Sequence, residues 1–318
     1  MAENLRMLTL ETEASQAATA APRQSLAAAA AAATAATSAP AAPAAKAPHP
    51  IPVRRMRFPL PDAAAFHPLY IGGNSALSYF HTAMGLYAAY LEPFLVKSFR
   101  GVADQIRDPE LRENVDRFCR QESQHYQQHA DFNRIILAHG YPGLDALLAQ
   151  VQRDFDGYLR HRSDRFRIGY SLGCESYTTQ SALHALRIGW YDNEFTHQPW
   201  GDLFKWHMVE EIEHRHVSED LYRHLYGGHA YRAAMCWFSQ RHMLGFLKDC
   251  AQLMSKVDIH RHGPRCRITT KAKFFIAVGP LGLRLRTMWP GHSVHQLQIP
   301  AHIQVLSAQY SRQAETLL

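Results

Sequence analysis

The sequence predicts an all-α protein, a helical bundle with additional helices. Apolar residues recur at helical spacing over long segments, strand-like alternation is scarce, and no Gly-rich phosphate loop occurs. Breakers such as Asp108-Pro109 and Gly227-Gly228 separate the segments. Segments of about 25 residues suit a bundle. The predicted helices cover seven ranges: 74–100, 109–138, 143–162, 164–190, 200–226, 229–256 and 269–288.

Composition divides the chain into a leader, a helical domain and a C-terminal extension. Residues 14–50 are almost all Ala, Pro, Ser and Thr without apolar periodicity, so we expect 1–50 to be a disordered leader. Its early acidic residues and the lack of a bulky apolar stretch argue against a secretory signal. We expect the main helical domain to span 51–256 and a partly helical extension to span 257–318.

Charge and cysteine content narrow the classes of function. The net charge is +6, but the basic residues form only short clusters, so we expect no nucleic-acid partner. The five cysteines include no CxxC pair, which argues against a disulfide framework or a thiolate zinc site and fits a reducing cytoplasm. No stretch reaches eighteen uninterrupted apolar residues, so we expect no transmembrane span.

Two of the predicted helices each contain a single carboxylate in apolar and aromatic surroundings. Glu92 is the only acid of 74–100, and Glu175 is the only acid of 165–191. Burying an isolated ionised glutamate costs several kcal/mol unless a cation compensates it. For either residue taken alone, an arginine partner or an orientation toward water is the better explanation.

Two other predicted helices each contain a Glu-x-x-His pair. Glu122 precedes His125, and Glu211 precedes His214 at the same spacing. At about 100° per residue, a three-residue step places both side chains on one face of a helix. His207, one turn before Glu211, shares that face.

Taken in chain order, the four helices supply a glutamate, a Glu-x-x-His pair, a second glutamate and a second pair. This is the ligand set of a carboxylate-bridged di-metal site in a four-helix bundle. Carboxylates can bridge two divalent metals, which a neutral imidazole cannot do, and the imidazoles then complete the outer side of each metal. The sequence therefore predicts that six residues bind two metal ions: Glu92, Glu122, His125, Glu175, Glu211 and His214.

A competing pair, Glu213 with His216, also fits the Glu-x-x-His pattern. It lies about 200° around the helix from Glu211, so only one of the two pairs can face the interior. Because His207 shares the Glu211 face, we expect Glu213, His216 and Glu219 to face solvent.

His129 follows His125 by one helical turn on the same face. Three roles are open for it: an extra ligand, a hydrogen-bond partner of the ligands, or a polar residue satisfied within the core. We expect the second role, because metal ligands are held in place by such partners.

Four stretches of the chain resemble a bacterial family of predicted metal-dependent hydrolases. The resemblance extends from about residue 50 to residue 255, and the two histidine-containing stretches are the specific ones. The stretches are PIPVRRMRF (50–58), YLEPFLVKSFR (90–100), QESQHYQQHADFN (121–133) and WHMVEEIEHRHVSEDLY (206–222).

The ligand pattern is also similar to that of the ferritin-like di-iron proteins. The spacing of His207, Glu211 and His214 resembles the arylamine N-oxygenases, which carry a third histidine on one iron. These resemblances imply a ferritin-like four-helix bundle within 51–256 that holds two iron ions, with manganese and zinc as alternatives. They imply seven metal ligands: Glu92, Glu122, His125, Glu175, His207, Glu211 and His214.

Four functions remain open. The leading interpretation is an oxidoreductase that uses O2 to oxidise a small substrate of apolar or aromatic character, with electrons from an external donor. The second is a two-metal hydrolase that activates a bridging water, with His129 as acid or base. The third is an iron-binding or ferroxidase protein, and the fourth is a structural bundle whose acids and histidines pair internally. We expect a cytoplasmic protein, and a homodimer is left open.

Overall fold

The computed structural model describes residues 51–198, 200–270 and 281–315. These residues form α-helices and short 3-10 turns and contain no β-strand, which confirms the predicted all-α class. The helices described from end to end are α1 (Ser75–Arg100), α2 (Pro109–His139), α3 (Leu144–His161), α4 (Asp164–Arg187), α5 (Trp200–Glu213), α6 (Val217–Leu225), α7 (His229–His262) and α8 (Ala301–Glu315).

Two predictions fall wholly or partly outside the described residues. The leader, 1–50, lies outside them. So does the middle of the predicted helix 269–288, whose last residues, 281–288, are helical. The domain boundaries at 50 and 256 stay predictions.

Side chains explain where the helices of the site begin and end. Asn74, Asp108 and Ser163 each accept a hydrogen bond from a backbone N–H in the first turn of α1, α2 and α4. Pro109 occupies the first position of α2, where its missing N–H has no cost. Gly140 ends α2 with φ of 80°, a conformation that favours glycine.

Four helices contact one another in a closed ring. α1 packs against α2 and α4, and α5 packs against the same two helices. α7 runs along α1 and α4, α3 packs on α1 and α7, and α8 contacts α5. Large aromatic side chains such as Phe118, Tyr170 and Trp206 fill the core and are fully buried. Polar side chains buried inside this ring are therefore surrounded by apolar residues, and their presence there needs a physical explanation.

The predicted helix 200–226 is wrong in one respect, because it is two helices. α5 ends at Glu213, and a turn over 214–216 leads into α6. No proline or glycine marks this break. It coincides instead with a long-range contact, in which Nδ1 of His214 lies 3.0 Å from Oε1 of Gln121 on α2. Periodicity in a single segment cannot show such a contact.

No helix within the described ranges is both long enough and apolar enough to cross a membrane. All five cysteines lie in the described part of the chain, where they are buried and free of disulfides.

Candidate metal centre

The seven predicted ligands are all buried and lie together in two adjacent groups. Within each group, the donor atoms lie within 4.8 Å of one another. α1, α2, α4 and α5 carry these residues, and His214 follows the last residue of α5. The first group is Glu92, His125 and His207, and the second is Glu122, Glu175, Glu211 and His214.

The second group converges on Nε2 of His214. This nitrogen lies 3.4 Å from Oε1 of Glu122 and 3.4 Å from Oε2 of Glu175. Oε2 of Glu211 lies 3.7 Å from the same nitrogen and accepts a hydrogen bond of 2.8 Å from the Thr178 hydroxyl. Three carboxylates and one imidazole thus approach a common point.

The first group combines two imidazoles and one carboxylate. The ring centroids of His125 and His207 lie 4.2 Å apart. Nε2 of His207 lies 4.0 Å from Oε1 of Glu92. Neither oxygen of Glu92 has a hydrogen-bond partner within the described part of the chain. This carboxylate is therefore buried without a hydrogen bond from the described residues.

Two carboxylates connect the groups. Glu122 has Oε1 3.4 Å from Nε2 of His214 and Oε2 3.7 Å from Nδ1 of His125. Glu211 has Oε1 2.9 Å from Nε2 of His207 and Oε2 3.7 Å from Nε2 of His214. Each carboxylate presents one oxygen to each group, which is the arrangement that bridges two metal ions.

Unpartnered donor atoms and charge both fit two divalent cations. Nδ1 of His125, Nε2 of His214 and Oε1 of Glu122 are buried and have no hydrogen-bond partner among the described residues. Leaving such groups unpaired is costly, and buried charges cost several kcal/mol each unless compensated. Four glutamates would carry four negative charges, which two divalent ions neutralise. The donor set of carboxylates and imidazoles suits iron, manganese or zinc.

A buried carboxylate outside the predicted set orients His125. Oε2 of Glu210 accepts the Nε2–H of His125 at 3.0 Å. Oε1 of Glu210 accepts from Trp206 Nε1 at 2.8 Å and from Arg54 at 2.9 Å. With Nε2 engaged, Nδ1 is the nitrogen of His125 that faces Glu122.

Gln121 orients the second pair in the same way. Its Oε1 accepts the Nδ1–H of His214 at 3.0 Å, which leaves Nε2 of that ring toward the carboxylates. Its Nε2 donates to Pro52 O at 2.8 Å and to Glu213 Oε2 at 2.9 Å, so the amide orientation is fixed on both sides.

Arg54 supplies a buried positive charge next to the centre, where it pairs with two glutamates. The guanidinium is almost fully buried and pairs with Glu210 at 2.9 Å and Glu213 at 2.7 Å. It also donates to Ser307 and Ser311 on α8. Burial alone would lower the pKa of Arg54, but the two carboxylates raise it above its ordinary value. It therefore stays charged, and it neutralises two acids, Glu210 and Glu213, that are not among the predicted ligands.

The acids of the centre differ in pKa because burial and neighbouring charges affect each of them to a different extent. It raises the pKa of Glu92 well above the ordinary range, with a further contribution from the charge of Glu122. Burial and the charge of Glu211 raise the pKa of Glu175 to about 8. Burial opposes ionisation of Glu211 too, but contacts with His207 and His214 hold its pKa well below the ordinary value. Without a metal, protons compensate part of the negative charge.

The histidines of the centre also differ in pKa. Burial opposes the protonation of His214, yet its contacts with Glu175 and Glu211 raise the pKa to about 10. His125 also has a raised pKa, since the carboxylates of Glu122 and Glu210 outweigh its burial. Burial and the charge of His125 lower the pKa of His207.

His129 contacts both the first group and α1. Its Nε2 lies 2.6 Å from Nδ1 of His207 and 3.7 Å from Oε1 of Glu92. A Cβ on Gly85 of α1 would lie 3.2 Å from its Nδ1, so this close approach favours glycine. Burial and the charge of His207 lower the pKa of His129 well below its usual range. His129 is thus a neutral hydrogen-bond partner of a predicted ligand.

The prediction that Glu213, His216 and Glu219 face solvent requires a correction. Glu213 is largely buried against Arg54, His216 is partly buried, and Glu219 is fully buried. Oε2 of Glu219 accepts the backbone N–H of Val294 at 2.9 Å. The prediction failed because it assumed that the face opposite the site meets water, whereas the segments around Arg54 and Val294 cover it.

These features define a buried centre of glutamate and histidine donors suited to metal. A sequence model of the family described as predicted metal-dependent hydrolase matches residues 52–290, which is most of the chain. The chain belongs to this family, and the resemblance to predicted metal-dependent hydrolases inferred from the sequence is confirmed. The family description indicates a metal-dependent enzyme. No curated protein shows a significant match, and no solved structure does.

Three residues of the centre were missing from the sequence interpretation: Arg54, Gln121 and Glu210. Glu210 stands beside Glu211 in a stretch with five acids, so its residue type did not distinguish it from its acidic neighbours. Its spacing from Trp206, one turn earlier, was the available signal, because both residues then share a face. Arg54 lies far from the centre in sequence, and only the fold brings it there.

Proposed function

We propose that the chain is a di-metal enzyme that uses O2 to oxidise a small organic substrate, with iron as the expected metal. The observation that carries the two-metal assignment is the position of Glu122 and Glu211, each with one oxygen toward each group. We also infer a ferritin-like four-helix bundle. It is supported by the closed ring of α1, α2, α5 and α4, each of which carries a predicted ligand.

In this proposal the chain's own side chains hold the metals and exclude water. His125, His207 and Glu92 would hold one ion, while His214 and Glu175 would hold the other. Iron, reduced by an external donor, supplies the electrons for O2 chemistry. Fully buried aromatic rings keep bulk water away: Phe118 lies 4.7 Å from the ring of His214, and Trp206 lies 5.0 Å from that of His125, between centroids.

In this proposal, a cavity with apolar and aromatic walls is a candidate place for the substrate. It has a volume of about 350 Å³ and lies between α1, α2 and α3. The predicted ligands Glu92 and His125 do not line it, and charged side chains such as Lys97 and Arg134 stand beside its aromatic ones. The aromatic part of the lining supports an apolar or aromatic substrate. Its apolar and aromatic walls are Tyr90, Phe94, Tyr126, Leu137, Phe155 and Leu159.

Hydrolysis is the second candidate, and the family description favours it. A two-metal centre can lower the pKa of a bound water and stabilise a leaving oxygen. The reaction needs a base, and His129 is the candidate because it is neutral and its Nε2 lies 3.7 Å from Oε1 of Glu92 in the first group. We rank hydrolysis second because no aspartate, a common ligand of hydrolytic two-metal sites, stands among the predicted ligands.

One experiment distinguishes the two candidates. The full chain is loaded anaerobically with Fe²⁺ and exposed to O2, while a second sample is loaded with Zn²⁺ and mixed with p-nitrophenyl esters and phosphodiesters. Oxidation predicts O2 consumption and a change in the visible spectrum that are both lost in Glu122→Ala. Hydrolysis predicts p-nitrophenol release by the zinc form, lost in His129→Ala, with no O2 uptake by the iron form.

A further inference from the structure

A second cluster of potential ligands lies at the end of α2, far from the di-metal centre. His139 is the last residue of α2, and Asp258 and His262 are one turn apart at the end of α7. One donor atom from each lies within 4.8 Å of the others. His139 follows His125 by fourteen residues, a separation of about 21 Å along an α-helix.

Asp258 presents an unused oxygen to this cluster. The residue is fully buried, and its Oδ2 accepts hydrogen bonds from the hydroxyls of Tyr79 at 3.0 Å and Tyr141 at 2.8 Å. Its Oδ1 is buried without a hydrogen-bond partner in the described part of the chain. The nearest nitrogen of His262 lies 3.9 Å from Oδ1, beyond hydrogen-bond distance. An unsatisfied oxygen on a buried carboxylate is costly, and a cation at Oδ1 would compensate it.

His139 presents an unused nitrogen to the same place. Its Nδ1 lies 3.3 Å from Ala63 O, a contact that places the proton on Nδ1 and leaves the lone pair on Nε2. Nε2 is buried and unpartnered among the residues described. The ring of His139 lies nearly parallel to that of His262, with centroids 6.3 Å apart and an interplanar angle of 15°.

Arg261, the neighbouring cation, does not pair with the free oxygen of Asp258. Arg261 donates to His139 O at 3.3 Å and to Gly140 O at 2.6 Å, and its guanidinium lies over the ring of Tyr141. These contacts engage it with the backbone at the end of α2 rather than with Asp258.

We propose that His139, Asp258 and His262 form a separate mononuclear metal site that binds one Zn²⁺. Two imidazoles and one carboxylate with a fourth, open position are a typical zinc donor set. Bonds of about 2.0–2.2 Å require donors roughly 3–4 Å apart, so closure of the cluster needs only small movements. The His262 side chain is 41% exposed, which leaves the open position accessible to solvent. The site joins α2 to α7 and, through Tyr79, to α1.

The test compares two exposed histidines of the same helix. The full chain and its His262→Ala and His260→Ala variants are dialysed against buffered Zn²⁺, and zinc is counted per chain. Because His260 is also exposed at the end of α7 but is not in the cluster, it is the matched control. We expect His262→Ala to bind one zinc fewer than the wild type, with an affinity loss at this site of about 100-fold, and His260→Ala to match the wild type.

The inference does not rest on the proposed function, and a second background separates the two. In a Glu122→Ala chain, which removes a bridging carboxylate, the difference of one zinc between the parent and its His262→Ala derivative should persist. Equal zinc content in the wild type and His262→Ala would overturn the site. An equal loss in His260→Ala would overturn it as well, because the zinc would then be bound non-specifically at the surface.

Discussion

Nε2 of His125 lies 3.0 Å from Oε2 of Glu210, and this contact decides which nitrogen of the imidazole can bind a metal. Glu210 is fully buried and is held by Arg54 and Trp206, so it has little freedom to move. The hydrogen bond from His125 and the charge of Arg54 outweigh burial and lower the pKa of Glu210, which keeps it an acceptor. The geometry of the first group therefore depends on a residue that binds no metal.

The variant Glu210→Gln should weaken metal binding without removing a ligand. A neutral amide accepts the His125 N–H less strongly and can present its NH2 group instead, so the ring loses its fixed orientation. We expect a 10- to 100-fold loss of metal affinity, as is usual for partners of ligands. Competition with a chromophoric chelator measures it.

Glu213→Gln is the matched control for that experiment. Both glutamates pair with Arg54, but only Glu210 contacts His125. Glutamine at position 213 still offers an oxygen to the Gln121 amide. Similar losses of metal affinity in the two variants would show that the Arg54 pairs, and not the orientation of His125, control binding.

The variant Arg54→Ala should destabilise the fold strongly. It leaves Glu210 and Glu213 without their cation in a buried setting, and removal of one partner from a buried pair costs about 3–5 kcal/mol. Urea denaturation of the metal-free chain gives the free energy of unfolding. Arg120→Ala removes an ion pair with Asp116 whose two side chains are mostly exposed, and it should change stability by only about 0–1 kcal/mol. Equal effects would contradict the assignment of Arg54 as a buried counter-ion.

Metal binding should release protons and weaken as the pH falls. The pKa values of Glu175 and His214 are raised to about 8 and about 10, so below pH 8 both groups carry protons that a metal must displace. We expect release of at least two protons near pH 7, and affinity that falls roughly ten-fold per pH unit for each proton displaced. Calorimetry in buffers of different ionisation enthalpy counts them. Glu175→Gln should release one proton fewer, and heats independent of the buffer would refute the prediction.

Three alanine variants test the choice between the two Glu-x-x-His pairs. Glu122→Ala and His214→Ala should each lose most of the bound metal, because both residues contribute donors to the second group. His216→Ala should keep nearly all of it, since His216 is packed near His295 instead. Metal content after desalting is the measurement. An equal loss in all three variants would mean that the wrong pair was assigned to the interior.

Local sequence patterns were sufficient for most of the helices and for the buried glutamates and histidines that the fold brings together. Glu92 and Glu175 stood out because a lone acid in an apolar helix is unusual, and the Glu122–His125 spacing placed both side chains on one face. The orientation of the Glu211 pair followed from His207. Each of these signals lies within a single helix, which is why sequence alone could show it.

What the sequence could not show depends on contacts between distant segments. The break after Glu213 lacks proline and glycine, and it coincides with the contact of Gln121 with His214. The buried positions of Glu213 and Glu219 depend on residues far away in the chain, such as Arg54 and Val294. Helical periodicity separates one face from another, but it does not tell whether water or protein covers the outer face.

The number of iron ions bound per chain is the most direct test of a carboxylate-bridged pair of metals. The measurement is iron per chain in a His262→Ala protein loaded anaerobically with Fe²⁺ and desalted, which excludes the second proposed site. We expect two irons per chain, and a loss of both in Glu211→Ala, because this carboxylate faces both groups. One iron per chain, or two that survive Glu211→Ala, would contradict a carboxylate-bridged pair.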